Sequence, residues 1–341
     1  MSGLMNTSST QPERLDSSGP WKTALIGLAR DNTARFAWLC LLLIVLSCLM
    51  APFYAARIAH TDPFSANVAG SIMLDGQEVD LMQPNDNPLH LGLSPIGPTW
   101  HTHYLLGADS QGRDIAARLL YGGRNSLLIA SASATLCLVF ATLIGVVAGF
   151  MGGVVDSVLS RLMDIMWAVP VYLFAICLSI VTITTGLHLG PFTLEGNSLL
   201  VPVMIIALVY MPYAARPVRA RVMSLKTAEF VTAARCLGVP RWRIVLFDIL
   251  PNVSDTLVVL GPLVMAMALL TESALSFLSI GVQAPASSWG TMIQDGEGLI
   301  YTRPVVAIAP GLAIAAVVLC LNILGDSLRD HLDPRSAGRE P

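Results

Sequence analysis

Charged residues are scarce in this chain. Only 13% of its 341 residues are charged and 54% are hydrophobic, which excludes an ordinary soluble domain. Its apolar runs each suit one membrane-spanning helix of about 20 residues, and none resembles the alternating strands of about 10 residues found in barrels. We therefore predict an all-α membrane protein with six transmembrane helices. The runs are 36–56, 125–155, 165–194, 196–215, 304–325 and, interrupted only by Glu272, 256–280.

Lysine is scarcer still, which bears on ATP chemistry. A phosphate-binding loop needs Gly-x4-Gly-Lys, but the two lysines, Lys22 and Lys226, follow Trp21 and Leu225. The chain also lacks His-Glu-x-x-His and Gly-x-Ser-x-Gly. We therefore expect no catalytic activity and no cofactor bound by this chain.

Ligands for metal and disulfide chemistry are also few. His101 and His103 form an incomplete ligand set in an irregular loop, so we interpret them as polar surface and predict no metal site. The cysteines lie in predicted spans or, once, in a cytoplasmic loop, so no disulfide framework is expected. They are Cys40, Cys48, Cys137, Cys177, Cys236 and Cys320.

The distribution of lysine and arginine predicts the orientation. Most of the 20 basic residues fall in cytoplasmic segments if the N-terminus is inside, as the positive-inside rule requires. We predict a multi-pass membrane protein with both termini in the cytoplasm, and the first run is an uncleaved anchor. The segments are a cytoplasmic tail at 1–35, a first transmembrane helix at 36–56, an extracytoplasmic segment at 57–124, a five-helix core at 125–325 containing a cytoplasmic loop at 222–252, and a cytoplasmic tail at 326–341.

The cytoplasmic loop contains "EFVTAARCLGVPRWRIVLFDILPN" (229–252), which predicts two short amphipathic helices. Apolar residues recur at helical spacing in both halves, first at Phe230, Ala234 and Leu237, then at Trp242, Val245, Leu246 and Ile249. Gly238 can take the left-handed position that ends the first helix, and Pro240 can open the second. Pro251 is expected to stop the second helix. Such a pair fits a groove in another protein. The alternative is a helix pair lying on the lipid surface.

Four stretches of the sequence resemble one family. "AARCLG" followed by "ILPN" is similar to the EAA-type coupling loop of binding-protein-dependent ABC importer permeases. "LLGADSQGRDIAARLLYGGRNSL" (105–127), "ESALSFLSIGVQAPASSWGTMI" (272–293) and "NILGDSLRDHLDPR" (322–335) resemble the C-type subunits of the dipeptide/oligopeptide branch. The chain departs from the pattern at Thr232, where the family has glutamate, at Asp248 in place of histidine, and at Ser279-Ile280, and its outside segment is enlarged around 70–100.

The resemblance implies two groups of site residues and a fold like the transmembrane domain of type I ABC importers. The ATPase-coupling set is Glu229, Phe230, Ala233, Ala234, Arg235, Leu237, Gly238, Trp242, Pro251 and Asn252. The family-signature set is Gly107, Asp109, Gly112, Arg113, Asp114, Asn322, Gly325, Asp326, Arg329 and Asp330.

Glu272 is the one carboxylate well inside a predicted span. A charge there costs on the order of 3 kcal/mol, so it must face protein or a water-filled path. It is either a wall residue of a translocation pathway or coupling-ion site, or a structural carboxylate hydrogen-bonded to a neighbouring helix. We favour the structural interpretation.

The implied function is that of a non-catalytic permease subunit in an ATP-driven importer of the bacterial plasma (inner) membrane. A second, homologous permease would complete the pathway, two ATP-binding subunits would hold ATP and Mg, and an extracytoplasmic binding protein would deliver dipeptides or oligopeptides. We expect contact with membrane lipid and none with nucleic acid. Alternatives are import of nickel, glutathione or another small solute, a self-sufficient secondary carrier, or a membrane scaffold.

Overall fold

The structure is a computed structural model that describes residues 27–74, 76–85, 92–189, 192–194 and 198–332. Most of each predicted tail, residues 1–26 and 333–341, therefore lies outside the described residues. The helices are α1 (Asn32–Leu49), α2 (Ile115–Met151), α3 (Gly153–Ala168), α4 (Val171–Thr185), α5 (Leu200–Lys226), α6 (Glu229–Cys236), α7 (Arg241–Phe277), α8 (Trp289–Glu297) and α9 (Val305–Leu332). A short turn, Ala51–Phe53, and a π-helical segment, Tyr54–Ala59, follow α1.

Five helices of the described chain, α1, α2, α5, α7 and α9, are long and apolar enough to cross a membrane. The pair α3 and α4 meets the same test together, which gives up to six spans as the sequence predicts. The predicted third run, 165–194, is however not one straight helix. It bends by 89° between α3 and α4, because Pro170 keeps the preceding residue extended, with Val169 at ψ 133°. A hairpin of β5 (Leu187–Leu189) and β6 (Phe192–Leu194) follows α4.

The centre of the bundle is the packing of α2 against α5. Gly145 and Gly149 allow this approach, because a Cβ at either position would lie 2.9 Å from a backbone carbonyl oxygen of α5, that of Ala215 or Arg219. Two small residues spaced by four are typical of close helix pairs in membranes. A hydrogen bond of 2.8 Å between the hydroxyls of Tyr210 and Thr271 then joins α5 to α7.

Residues 60–74, 76–85 and 92–114, here called the β-lobe, form a small unit at the N-terminal end of α2. The hairpin predicted around Asp75-Gly76 is present as β1 (Ser71–Leu74) and β2 (Gln77–Asp80), and Gly76 has a φ of +83°. Asp75 itself lies outside the described residues. Strands β3 (Met82–Pro84) and β4 (Leu93–Pro95) make a second hairpin. The apolar cluster of the β-lobe is small and consists of Leu81, Ile96, Tyr104 and Ala108.

Candidate functional site

The first half of the loop folds as the glycine and helix spacing predict. Helix α6 ends at Cys236 with Leu237 as its C-cap, and Gly238 has a φ of +75°. The Val239 N–H donates to the Ala234 carbonyl at 3.1 Å, and the Gly238 N–H donates to that of Arg235 at 3.0 Å. This is the Schellman arrangement, which also predicts a contact between Val239 and Ala234. Both side chains pack on one apolar cluster, so the turn is rigid.

The second half corrects the prediction that Pro251 stops its helix. Helix α7 runs from Arg241 to Phe277 without a break, and Pro251 lies inside it. Residues Ile244–Ile249, immediately before the proline, are π-helical. A π-turn bonds i to i+5 and relieves the clash that proline makes with the carbonyl four residues earlier. The loop therefore connects directly to a membrane span.

The π-turn also affects which side chains of the second half face this chain's own core. Of the apolar stripe predicted to face a partner, Trp242 and Leu246 are exposed and Val245 is partly buried. Ile244 and Ile249 are fully buried instead. Their spacing of five matches a π-turn rather than an α-turn. Ile249 was predicted on the same stripe and is buried, against this chain's own core.

Helix α6 presents an exposed stripe made of Phe230, Ala233 and Leu237. Phe230 is 45% exposed and Leu237 is 83% exposed, although large apolar side chains usually lie inside. The opposite face packs on the chain itself, because Val231 is fully buried and Ala234 is partly buried in the same cluster. Ala234 therefore helps to pack α6 onto the rest of the chain and is only partly available to a partner.

The polar members of the coupling set lie around this stripe. Glu229 and Arg235 are exposed, and the Arg235 guanidinium lies 5.8 Å from the Phe150 ring at the end of α2. The exposed Asn252 donates from its side chain to the Asp248 carbonyl at 2.7 Å, which holds the helix together beside Pro251.

The signature residues Asp109 and Arg113 meet in one ion cluster at the other end of α2. Asp109 accepts from the Arg113 side chain at 2.8 Å, and Arg113 also reaches Asp295 of α8 at 3.0 Å. Arg118, which is buried, bonds to Asp109 and lies 2.8 Å from Asp295. The cluster ties the β-lobe to α8. Sequence reasoning missed Arg118 and Asp295, since only the fold brings positions so far apart together.

Asp114, the last residue of this signature, caps α2. Its carboxylate accepts from the backbone N–H groups of Ala116 at 2.8 Å and Ala117 at 3.3 Å, and from the Thr61 hydroxyl at 3.0 Å. Burial raises the pKa of Asp114 against the effect of these bonds. The signature glycines Gly107 and Gly112 have positive φ values of 89° and 72°, which favour glycine.

The C-terminal signature residues lie along the end of α9. Asn322, Asp326 and Arg329 are exposed at a spacing of i, i+4 and i+7, and Asp330 is also exposed, whereas Gly325 is half-buried beside Pro262. The Ser327 hydroxyl of the same helix donates to Asp31, the N-cap of α1, at 3.0 Å. This bond fixes the start of the first span to the last span.

Glu272 is fully buried in α7 among hydroxyl groups. The Ser276 hydroxyl donates to it at 2.8 Å and accepts from the Val282 N–H at 3.0 Å. Ser126 of α2 also faces the carboxylate and accepts from the Trp289 N–H at 3.1 Å. The carboxylate thus organises the connection between α7 and α8, which favours its structural interpretation.

The histidines of the β-lobe do not assemble a metal site. Within the described residues, no group of three His, Cys, Asp or Glu side chains could hold an ion. His103 Nδ1 lies 2.6 Å from the Ala59 carbonyl oxygen, and its ring centroid lies 5.9 Å from that of His60.

Comparison with known proteins gives consistent matches. Residues 141–338 match the family model described as binding-protein-dependent transport system inner membrane component. The dipeptide transport system permease protein DppC of Alkalihalophilus pseudofirmus is 34% identical over 93% of this chain and 90% of its own length. The di/tripeptide transport system permease protein DppC of Pseudomonas aeruginosa is 34% identical over 98% of both chains.

A solved structure shares the fold. A chain of the MetNI methionine ABC transporter, in inward-facing conformations, has a TM-score of 0.51 and 16% identity, covering 62% of this chain and 95% of that chain. At that identity the likeness concerns the fold alone. The family match begins within α2 at residue 141, so it does not include the β-lobe.

Proposed function

The chain belongs to the family of binding-protein-dependent transport system inner membrane components, with a type I importer-like fold, and from that premise we propose how it works. It is the C-type permease subunit of an ATP-driven importer for dipeptides or oligopeptides. Relatives whose names specify dipeptide and di/tripeptide transport match it over nearly its whole length, which supports a peptide as the substrate. ATP and Mg would be held by separate subunits.

The observation that carries this proposal is the exposed stripe of α6. Leu237, Phe230 and Ala233 form an apolar surface on a helix that its own Schellman turn and buried Val231 hold in place. A rigid helix with an apolar face fits a groove in a partner. We propose that this partner is one of two ATP-binding subunits.

The continuity of α7 allows movement of α6 to be transmitted to a membrane span. Because no break separates Arg241 from Phe277, a displacement of α6 and its turn moves a membrane span directly. Coupling of this kind requires a stiff element with two discrete positions. ATP-driven closure of the two partner subunits would move α6 and tilt α5 and α7 between inward-open and outward-open states.

Two further surfaces fit the other proposed partners. Helices α2 and α7 leave an apolar groove, lined by residues that include Leu143, Val147, Leu246 and Leu257, which a second homologous permease can fill. The β-lobe lies at the opposite end of α2 from α6, so an extracytoplasmic binding protein can reach it. We propose on this basis that both termini lie in the cytoplasm.

The alternative function is that of a secondary carrier. The surroundings of Glu272 distinguish a carrier from an ATP-driven permease. An ion-coupled carrier needs intramembrane polar groups that are free to exchange an ion or a proton. Glu272 is instead enclosed by serine hydroxyls that hold the backbone of a neighbouring connection. Import of nickel or glutathione by the same architecture remains the alternative for the substrate.

Docking can be tested by comparing Leu237→Ala with Met223→Ala, a control on α5 that is also exposed. Burial of a leucine side chain contributes about 2 kcal/mol, so Leu237→Ala should weaken ATPase binding roughly 30-fold. Met223→Ala should leave it unchanged. The measurement is the affinity of purified ATPase subunits for the permease pair in nanodiscs. Equal affinities for both variants and the native chain would refute docking through α6.

A further inference from the structure

Helix α3 carries charged residues along its length. Its 16 residues include Asp156, Arg161 and Asp164, and three charges within such a length are costly in hydrocarbon. Helix α4, which follows the 89° bend, has no charged residue. The two helices therefore occupy different environments, and α3 is not the first half of a straight span.

Two ion pairs fix the depth of α3. Arg219 donates from Nε and Nη2 to the two carboxylate oxygens of Asp156, with Nη2 at 2.6 Å from Oδ2. Arg216 Nη2 lies 3.0 Å from Asp164 Oδ1. The two aspartates are separated by about 12 Å along α3, whereas the two arginines are separated by about 4.5 Å along α5. Helix α3 therefore crosses α5 obliquely, at the level where the charged end of α5 begins.

The face of α3 that turns away from these pairs is apolar and uncovered. Val154, Val158, Leu162 and Ile165 recur at i, i+4, i+8 and i+11, and all are exposed, Val154 by 79% and Ile165 by 67%. Arg161 is exposed beside them. The opposite side of the helix carries the buried Met163 and the paired Asp156.

We propose that α3 is an amphipathic helix lying in the lipid–water interface on the side of the membrane that carries α6. Its apolar stripe enters the boundary of the acyl chains, and Arg161 reaches the anionic headgroups. Apolar side chains on one face with a basic residue at its edge are what such a surface requires. The covering material is lipid because α2, which precedes α3, is long and apolar enough to cross a membrane, because α4, which follows it, has no charged residue, and because the acids of α3 already pair with arginines of α5.

The position of α3 at the membrane surface does not depend on which substrate the complex carries. Through Asp156 and Arg219, α3 is also attached to the part of α5 that leads into α6. A helix held in the interface would keep that part of α5 at a fixed depth while α6 moves.

Spin labels can test this placement in the whole complex, reconstituted in vesicles of phosphatidylethanolamine and phosphatidylglycerol. The exposed Cys177 and Cys236 are first replaced by serine, and a nitroxide is attached at Val158→Cys. The control label is at Thr227→Cys, an exposed position between α5 and α6. Collision rates are measured with oxygen, which enters lipid, and with a water-soluble nickel chelate.

The Val158 label should collide several-fold more with oxygen relative to nickel than the Thr227 label does. A nickel collision rate equal to that of Thr227 would place α3 in water and overturn the proposal. A label that neither reagent reaches would show that the second permease or an ATPase subunit covers the stripe, which also overturns it. Ile165→Cys repeats the measurement on the same stripe if Val158→Cys does not assemble.

Discussion

Replacement of Gly238 tests whether the turn after α6 must be rigid. The residue has a φ of +75° and donates the first of the two hydrogen bonds that close the helix. A Cβ at this position would meet nothing within 4 Å. Any effect of substitution therefore comes from the backbone conformation rather than from a clash with neighbouring side chains.

The cost of a side chain at Gly238 can be estimated from that conformation. A left-handed residue costs an L-amino acid about 1–2 kcal/mol, and a β-branched residue is a marked outlier there. If the turn opens instead, its two hydrogen bonds are lost, at a net cost of about 0.5–1.5 kcal/mol each. Either route costs at least about a factor of five in the population of the native turn.

We therefore expect Gly238→Val to lower ATP-driven uptake of a labelled dipeptide at least about fivefold, with membrane insertion unchanged. Gly238→Asn is the matched control, because asparagine tolerates the left-handed region. It should retain most of the uptake. Native uptake by Gly238→Val would refute the requirement for a rigid turn, and equal loss in both variants would show that something other than φ matters at this position.

Three other substitutions test the supports of the spans by thermal unfolding of the purified protein. Asp114→Ala should lose about 1 kcal/mol, the usual worth of an N-cap, whereas Asp114→Asn should lose less, because it keeps the acceptor and removes a buried charge whose pKa is already raised by burial. Glu272→Leu should destabilise more than Glu272→Gln, since leucine leaves several buried hydroxyl donors without an acceptor; equal melting temperatures would contradict the structural role. Hydrogen bonding from Arg219 lowers the pKa of Asp156 in the folded protein. The ion pair should therefore stabilise the fold fully above the pKa of the unfolded chain, about 4, and this stabilisation should disappear as the pH falls through the lower pKa of the folded protein. Asp156→Asn should remove that part of the pH dependence.

The sequence predicts the elements that depend on local chemistry. Long uncharged runs predict the spans, and the helix–Gly–helix spacing predicts α6 and its left-handed turn, because capping is decided by a few adjacent residues. The Asp75-Gly76 signal likewise predicts the β1–β2 hairpin, whose register depends on the turn.

The features that the sequence does not predict depend on neighbours far along the chain. The π-turn before Pro251 buries Ile244, which an α-helical period does not include in the predicted apolar stripe, and leaves Leu246 exposed. The pairing of Arg118 with Asp295 connects positions that only the packing of α8 on α2 brings together. The 89° bend after α3 is signalled by Pro170, yet the proline alone does not give its size.

We expect this chain to move solute only as part of an ATP-driven complex. Solute uptake into proteoliposomes tests that expectation. Vesicles would contain this chain alone, or this chain with the second permease and both ATPases, with the binding protein and a labelled dipeptide outside. We expect uptake only by the complete transporter with ATP. This chain alone should show no uptake under a proton or sodium gradient. Gradient-driven uptake by this chain alone would contradict it and establish a secondary carrier.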